Sequence, residues 1–308
     1  MLPPSGDQFE ISADGYHAVV TESGAALRSL TYFERPLVDG FARAAMSPGG
    51  RGQWLVPWPN RVRDGAYSFR GHDLQLPLTE PSRGNASHGL VRWAAWSLVE
   101  AEEHRVRLGY RLMAQTGYPW TLDLEVTYRV SAHGLTAMLR ATNRSDSAAP
   151  FAAGAHPYLA IGGGPVDHLE LLLPASVRLV SDERKLPVRS RHVEGSSYDF
   201  RTPRAIGPLV LDDCFTELEH DNGGHATVEL LAPGDEEEGV ALWVDRHFRY
   251  LQVYTADDVE RTARRSIAVE PMTSPPDAFR SGEDLVVLAP SGRAGDSINL
   301  SWGIRSLP

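Results

Sequence analysis

The chain is 308 residues long, 42% apolar and 23% charged, with a net charge of −10. That composition supplies a large core without a bias toward disorder, and the acidic balance excludes a nucleic-acid partner, which needs a basic face against phosphates. Cys214 is the only cysteine, so no intramolecular disulfide can form. The opening segment Met1–Glu10 has neither a basic nor an apolar leader region. No apolar run reaches the ~20 residues of a bilayer span, and the expectation is a cytoplasmic protein with no membrane association.

Taken in order, the runs Tyr16–Thr21, Ala66–Arg70, Trp96–Glu100 and Val106–Leu112 alternate or cluster apolar residues over strand lengths, each bounded by turn formers. The clearest alternation spans Trp120 to Ser131, where Trp120, Leu122, Leu124, Val126, Tyr128 and Val130 alternate with polar residues. Ala132-His-Gly134 reads as a tight turn, and Leu135, Ala137, Leu139 and Ala141 resume the period, predicting a hairpin. Leu169–Leu173, Val177–Val180, Thr227–Leu231, Val240–Val244, Tyr250–Tyr254, Leu285–Leu288 and Ile298–Trp302 continue the series. The Gly162–Pro165 stretch and the acidic run Asp235–Glu238 read as surface connections. With 28 Gly and 22 Pro, no long segment sustains a helical period. The reading is all-β, with stacked sheets rather than a propeller, since no blade-length repeat recurs. No shift in composition marks a linker, so residues 1–308 are read as one domain.

The eleven histidines contain no His-Glu-x-x-His and no paired-ligand spacing, and the expectation is no metal. Gly-x-Ser-x-Gly is missing, and no glycine-rich loop has strand-to-helix context, so neither a nucleophile elbow nor a phosphate-bound cofactor is expected. What stands out is polar residues set into apolar or turn-forming sequence: Trp58-Pro-Asn-Arg61, Ser87-His-Gly89, Gly154-Ala-His-Pro-Tyr158 and Leu211-Asp-Asp-Cys-Phe-Thr216. In Ile267-Ala-Val-Glu-Pro-Met, Glu270 ends an apolar run and Pro residues follow, which places a carboxylate at a strand end. His156, after Phe151–Ala155 and before Pro157, is placed the same way. Read singly, such residues are more often solvated or hydrogen-bonded structural groups.

Together and in order, the stretch Leu55–Gly71, His88-Gly89, Gly117-Tyr-Pro119, His156-Pro-Tyr158, Asp213, Leu251-Gln-Val-Tyr254 and Glu270-Pro through Pro276-Asp-Ala-Phe279 resemble the aldose 1-epimerase (galactose mutarotase) family. The likeness covers roughly residues 15 to 305. It implies a large antiparallel β-sandwich that binds a small-molecule aldose and uses no cofactor. It assigns His156 as catalytic acid and Glu270 as catalytic base. Asn60, Arg61, His88, Asp213 and Gln252 are the implied substrate-binding residues, with Asp212 the alternative to Asp213 one register away. The segment after Glu270 departs from that of the galactose enzymes, so galactose specificity is not implied.

The chemistry of such a site is the interconversion of α and β anomers of a free aldohexose such as glucose or galactose. The C1 hydroxyl gives up a proton, the ring oxygen gains one, the ring opens, and closure follows on either face. This reading expects His156 as imidazolium and Glu270 as carboxylate, each stabilising the other's charge. Rival readings are a hexose-6-phosphate 1-epimerase, which would recruit Arg51, Arg63, Arg83 or Arg92, and a sugar-binding module without catalysis. Trp54, Trp58, Trp93 and Tyr158 are candidates for stacking on sugar, although aromatics beside strands usually belong to the core.

Overall fold

The computed structural model of the chain describes residues 2–258 and 263–307, excepting the side chains of 235–238. The predicted hairpin forms from Leu122–Ser131 and Gly134–Asn143, in continuous register from Leu122↔Asn143 to Ser131↔Gly134. Leu122, Leu124, Val126, Tyr128 and Val130 are buried, which is the physical meaning of their period of two. The strand begins after Trp120 because Thr121 leaves the ladder: its N–H donates to Ser145 Oγ and its carbonyl accepts from Arg144.

This hairpin belongs to a nine-stranded sheet. Its order is Ser97–Glu102, Arg105–Leu112, Leu122–Ser131, Gly134–Asn143, Ser297–Leu307, Asp235–Asp245, His225–Ala232, Glu170–Leu172 and Arg204–Ala205. A second, eight-stranded sheet runs Pro187–His192, Ala175–Ser181, Asp212–Leu218, Tyr250–Tyr254, Ile267–Met272, Gly154–Ala155 and Trp54–Leu55, with Tyr158–Leu159 also paired to Ile267–Met272. The pairs in both sheets are antiparallel. The sheets face one another: the indole of Trp54 in the second donates to Tyr128 Oη in the first at 2.9 Å and sits 5.9 Å from the Trp302 ring. One apolar cluster includes residues from Ile11 to Ile304. The molecule is the expected large antiparallel β-sandwich. Among the described residues helix is limited to Ala278–Ser281 and two single 3-10 turns. No helix among them is long and apolar enough to cross a membrane.

Some elements differ from the sequence reading. The acidic run Asp235–Glu238 was expected as a connection but opens the Asp235–Asp245 strand, and its side chains lie outside the described residues. The strand Pro187–His192 was not expected. It is a sheet edge with no buried residue, so neither of its faces carries the apolar alternation that marks a strand. Most consequentially, Glu270 does not end a strand: Ile267–Met272 continues through Pro271, which pairs with Leu251. The proline is tolerated for a local reason. Val269 N–H donates to Pro157 O, so the nitrogen of Pro271, two residues on, faces the same side. There the neighbouring chain is interrupted between Gly154–Ala155 and Tyr158–Leu159, and no ladder bond is lost.

Candidate active site

That interruption is where His156 leaves the sheet. Its N–H donates to Gln53 O and its carbonyl accepts from Gly52, so the backbone is held at both ends. The ring lies parallel to Tyr158 with centroids 5.0 Å apart, and Arg51 covers Tyr158 at 4.2 Å. Arg51 in turn pairs with Asp39 at 2.9 Å, and Tyr158 Oη donates to Gly49 O. Gly50 completes the setting. With φ of +78°, it brings its backbone so close that a Cβ there would stand 2.9 Å from His156 Cδ2.

Glu270 is presented by the adjacent strand, directly opposite Gln252, which is directly opposite Cys214 on the next. Cross-strand partners share a face, so Gln252 and Glu270 stand side by side. His156 Nε2 lies 3.2 Å from Glu270 Oε1, and both residues are almost wholly buried, 5% and 3% exposed. His156 Nδ1 and Glu270 Oε2 have no hydrogen-bond partner among the described residues. The two groups sit in a cavity of about 340 Å³ lined also by Asn60, Arg61, Glu80, His88, Arg92 and Asp212, a size suited to one sugar ring.

Burial governs the protonation of this pair. Desolvation, followed by the positive charges of Arg92 and Arg51, depresses His156 to about 3. Desolvation, with Asp212 adding to it and Arg61 and Arg92 opposing, raises Glu270 to about 8. A 3.2 Å approach of imidazole and carboxyl would favour an ion pair at a wet surface, but here both partners are out of water and the uncharged arrangement prevails. Burial thus favours the uncharged form of each group, with the proton on Glu270 and a neutral His156, whereas the imidazolium–carboxylate pair was expected across a bound sugar. Across neutral pH the pair holds one proton in total, so it offers one donor and one acceptor.

A family model described as Aldose 1-epimerase matches residues 7–301. The chain belongs to the aldose 1-epimerase family. Among relatives, YihR of Escherichia coli (strain K12), a protein of uncharacterised function, is 33% identical over 285 residues, 92% of this chain and 89% of that one. Among solved structures, a GalM/aldose epimerase homologue from C. elegans superposes with a TM-score of 0.82 at 19% identity, covering 98% of this chain and 99% of the other. Galactose 1-epimerase from Lactobacillus acidophilus NCFM gives a TM-score of 0.80 at 20% identity, covering 97% and 94%. At these identities the structural likeness concerns the fold.

Most of the residues singled out in this member of the family converge. Asn60, Arg61, His88, His156, Gln252 and Glu270 all line the cavity. Asn60 and His88 both adopt positive φ, +51° and +59°, and they lock together: Asn60 N–H donates to His88 Nδ1 at 3.2 Å and Asn60 O accepts from His88 N–H. Asp213 does not join them. It points to the opposite face of its strand and pairs with Arg178 at 2.7 Å, whereas Asp212 lines the cavity and accepts from Gln252 Nε2 at 2.8 Å. One residue along a strand reverses the face, which brings Asp212 and not Asp213 to the cavity.

Glu80 was not anticipated. It receives Arg61 through two hydrogen bonds of 2.8 and 3.1 Å, and Arg83 and Asn85 as well. Burial alone would raise its carboxyl, but these donors, Arg61 foremost, hold it down at about 2. Its only trace in the sequence is an acid in a turn.

His88, His156 and Glu270 bring potential ligand atoms within 4.8 Å of one another, a grouping that sequence spacing did not reveal. Yet the Asn60 N–H on His88 Nδ1 leaves the proton on Nε2, making that nitrogen a donor rather than a ligand. Of the aromatics, Trp54 and Trp58 are core, Tyr158 supports His156, and Trp93, half exposed, stands at the cavity.

Proposed function

We propose that this protein is an aldose 1-epimerase that interconverts the anomers of an aldohexose, with His156 and Glu270 exchanging protons with the sugar. The observation that carries the reading is the buried 3.2 Å His156–Glu270 contact at the floor of a sugar-sized cavity. One proton shared by two groups is the inventory the reaction requires. Glu270 accepts the C1 hydroxyl proton while His156 donates to the ring oxygen, the ring opens to the aldehyde, the C1–C2 bond rotates, and closure reverses both transfers. The neutral pair reaches this form by passing a proton across its own contact, and the cations Arg61 and Arg92 favour the Glu270 carboxylate. Asn60, Arg61, His88, Asp212 and Gln252 are the groups available to the sugar hydroxyls.

The test is anomer exchange followed by polarimetry or exchange NMR, on a panel of neutral and charged aldohexoses. Wild type is expected to accelerate exchange of at least one of them. Glu270→Gln and His156→Ala are each expected to lose about 10²–10⁴-fold in kcat. Sugar binding without any acceleration by wild type would overturn the enzyme reading in favour of a binding module.

A further inference from the structure

Charge matching inside the cavity singles out one cation among the described residues. Arg61 and Arg83 share the carboxylate of Glu80. Arg51 and Arg63, which the sequence also offered for binding an anion, are committed elsewhere, to Asp39 at 2.9 Å and to Asp182 at 2.8 Å. Arg92 lines the cavity, and its guanidinium meets no carboxylate among the described residues, lying 5.7 Å over the Trp93 ring instead. Its backbone is fixed: the carbonyl accepts from Nε2 of Gln53, a fully buried residue. A partly buried guanidinium without an anion bears a desolvation cost that a ligand oxyanion would relieve.

Its position within the site is also defined. After burial, Arg92 is the strongest charge acting on both His156 and His88, whereas Asp212 and Arg61 act more strongly than Arg92 on Glu270. Gln53 ties the two together, its Nε2 donating to Arg92 O while its own carbonyl accepts from His156 N–H, so Arg92 lies on the His156 side. With His156 donating to the ring oxygen, as in the proposed function on which this step rests, that is the side toward which C5 projects its substituent.

The geometry points to Arg92 as the receptor for an oxyanion carried on C6 of the aldose, making the substrate class a hexose with a phosphate, sulfate or carboxylate group at that end. The unmodified hexose expected from the sequence leaves this guanidinium unmatched. The anion would have a second effect. By neutralising Arg92 it cancels the strongest charge that keeps His156 unprotonated, and so favours the imidazolium that donates to the ring oxygen.

Anomer exchange by NMR with glucose, glucose 6-phosphate, glucose 6-sulfate and glucuronate tests this in wild type, Arg92→Met and Arg92→Lys. Wild type is expected to prefer at least one anionic sugar over glucose by about 10- to 100-fold in kcat/KM, the worth of one charge-assisted contact. Arg92→Met should bring that ratio to near unity, with Arg92→Lys between. Comparing the ester anions with glucuronate distinguishes tetrahedral from planar oxyanions. Independently of any variant, inorganic phosphate or sulfate should inhibit wild-type exchange competitively, against chloride at equal ionic strength. Exchange of glucose with no preference for any anionic sugar, or a preference that survives Arg92→Met, overturns the role of Arg92 and leaves the epimerase standing. Exchange of none of these four sugars nor of any other aldohexose in the panel overturns the epimerase reading itself.

Discussion

At residue scale the site is defined by what burial does to two titrating groups. Glu270 rises from an ordinary 4.5 to about 8, so its contribution to stability is intact below 4.5 and lost as pH climbs through 8. His156 falls from 6.5 to about 3, so its contribution is present above 6.5 and lost as pH drops toward 3. Glu270→Gln keeps the shape and removes the ionisation. Its Tm relative to wild type should therefore rise between pH 5 and pH 9, measured by calorimetry, while activity is lost. A difference independent of pH would mean that Glu270 is ionised in the folded protein throughout. His156 and Glu270 were singled out through the family resemblance, since a break in an apolar run alone more often marks a structural group. Their protonation was not legible in the sequence, since it depends on how much water the assembled sheets exclude. Asp212 and Asp213 illustrate the same limit: both were visible, but only strand register decides which faces the cavity.

Among the elements, the interruption between Gly154–Ala155 and Tyr158–Leu159 is the feature on which the site depends. It turns His156 out of the ladder, relieves Pro271 of a hydrogen bond, and leaves room for the Pro48–Gly50 turn to approach the imidazole. Gly50→Ala should be costly in a diagnostic way. A Cβ at φ of +78° loses about 1–2 kcal/mol in backbone strain and must also displace the His156 ring. The expected result is a small fall in Tm together with a much larger fall in kcat, read from anomer exchange and thermal melts. Unchanged kcat would show that the ring position tolerates the shift. The sequence marked this region by Pro157 and the neighbouring glycines, yet the approach of residue 50 to residue 156 is a tertiary contact with no local signal.

The whole molecule rests on facing sheets, and at their interface Tyr128 Oη accepts from the Trp54 indole and donates to Ala25 O, each at 2.9 Å. Removing that hydroxyl leaves a buried indole N–H and a buried carbonyl without partners. Tyr128→Phe should therefore destabilise the protein by about 1–3 kcal/mol, a Tm shift of a few degrees for a chain of this size, with kcat at 25 °C unaltered. A change in kcat would reveal coupling between the inter-sheet contact and the site.

His156 and Glu270 were marked as an acid–base pair by the family resemblance, whereas the sequence by itself determined the all-β class and a hairpin, expected from Trp120 to Ala141. Those follow from local causes: side-chain alternation repeats every two residues along a strand, and turn formers stop it wherever they occur. Tertiary structure decided that Glu270 lies within a strand, that Asp212 rather than Asp213 faces the cavity, that Glu80 occupies Arg61 and Arg83, and that Arg92 meets no carboxylate among the described residues. These outcomes come from pairing between segments far apart in the chain and from the removal of water around them. Neither is encoded in any short window of residues.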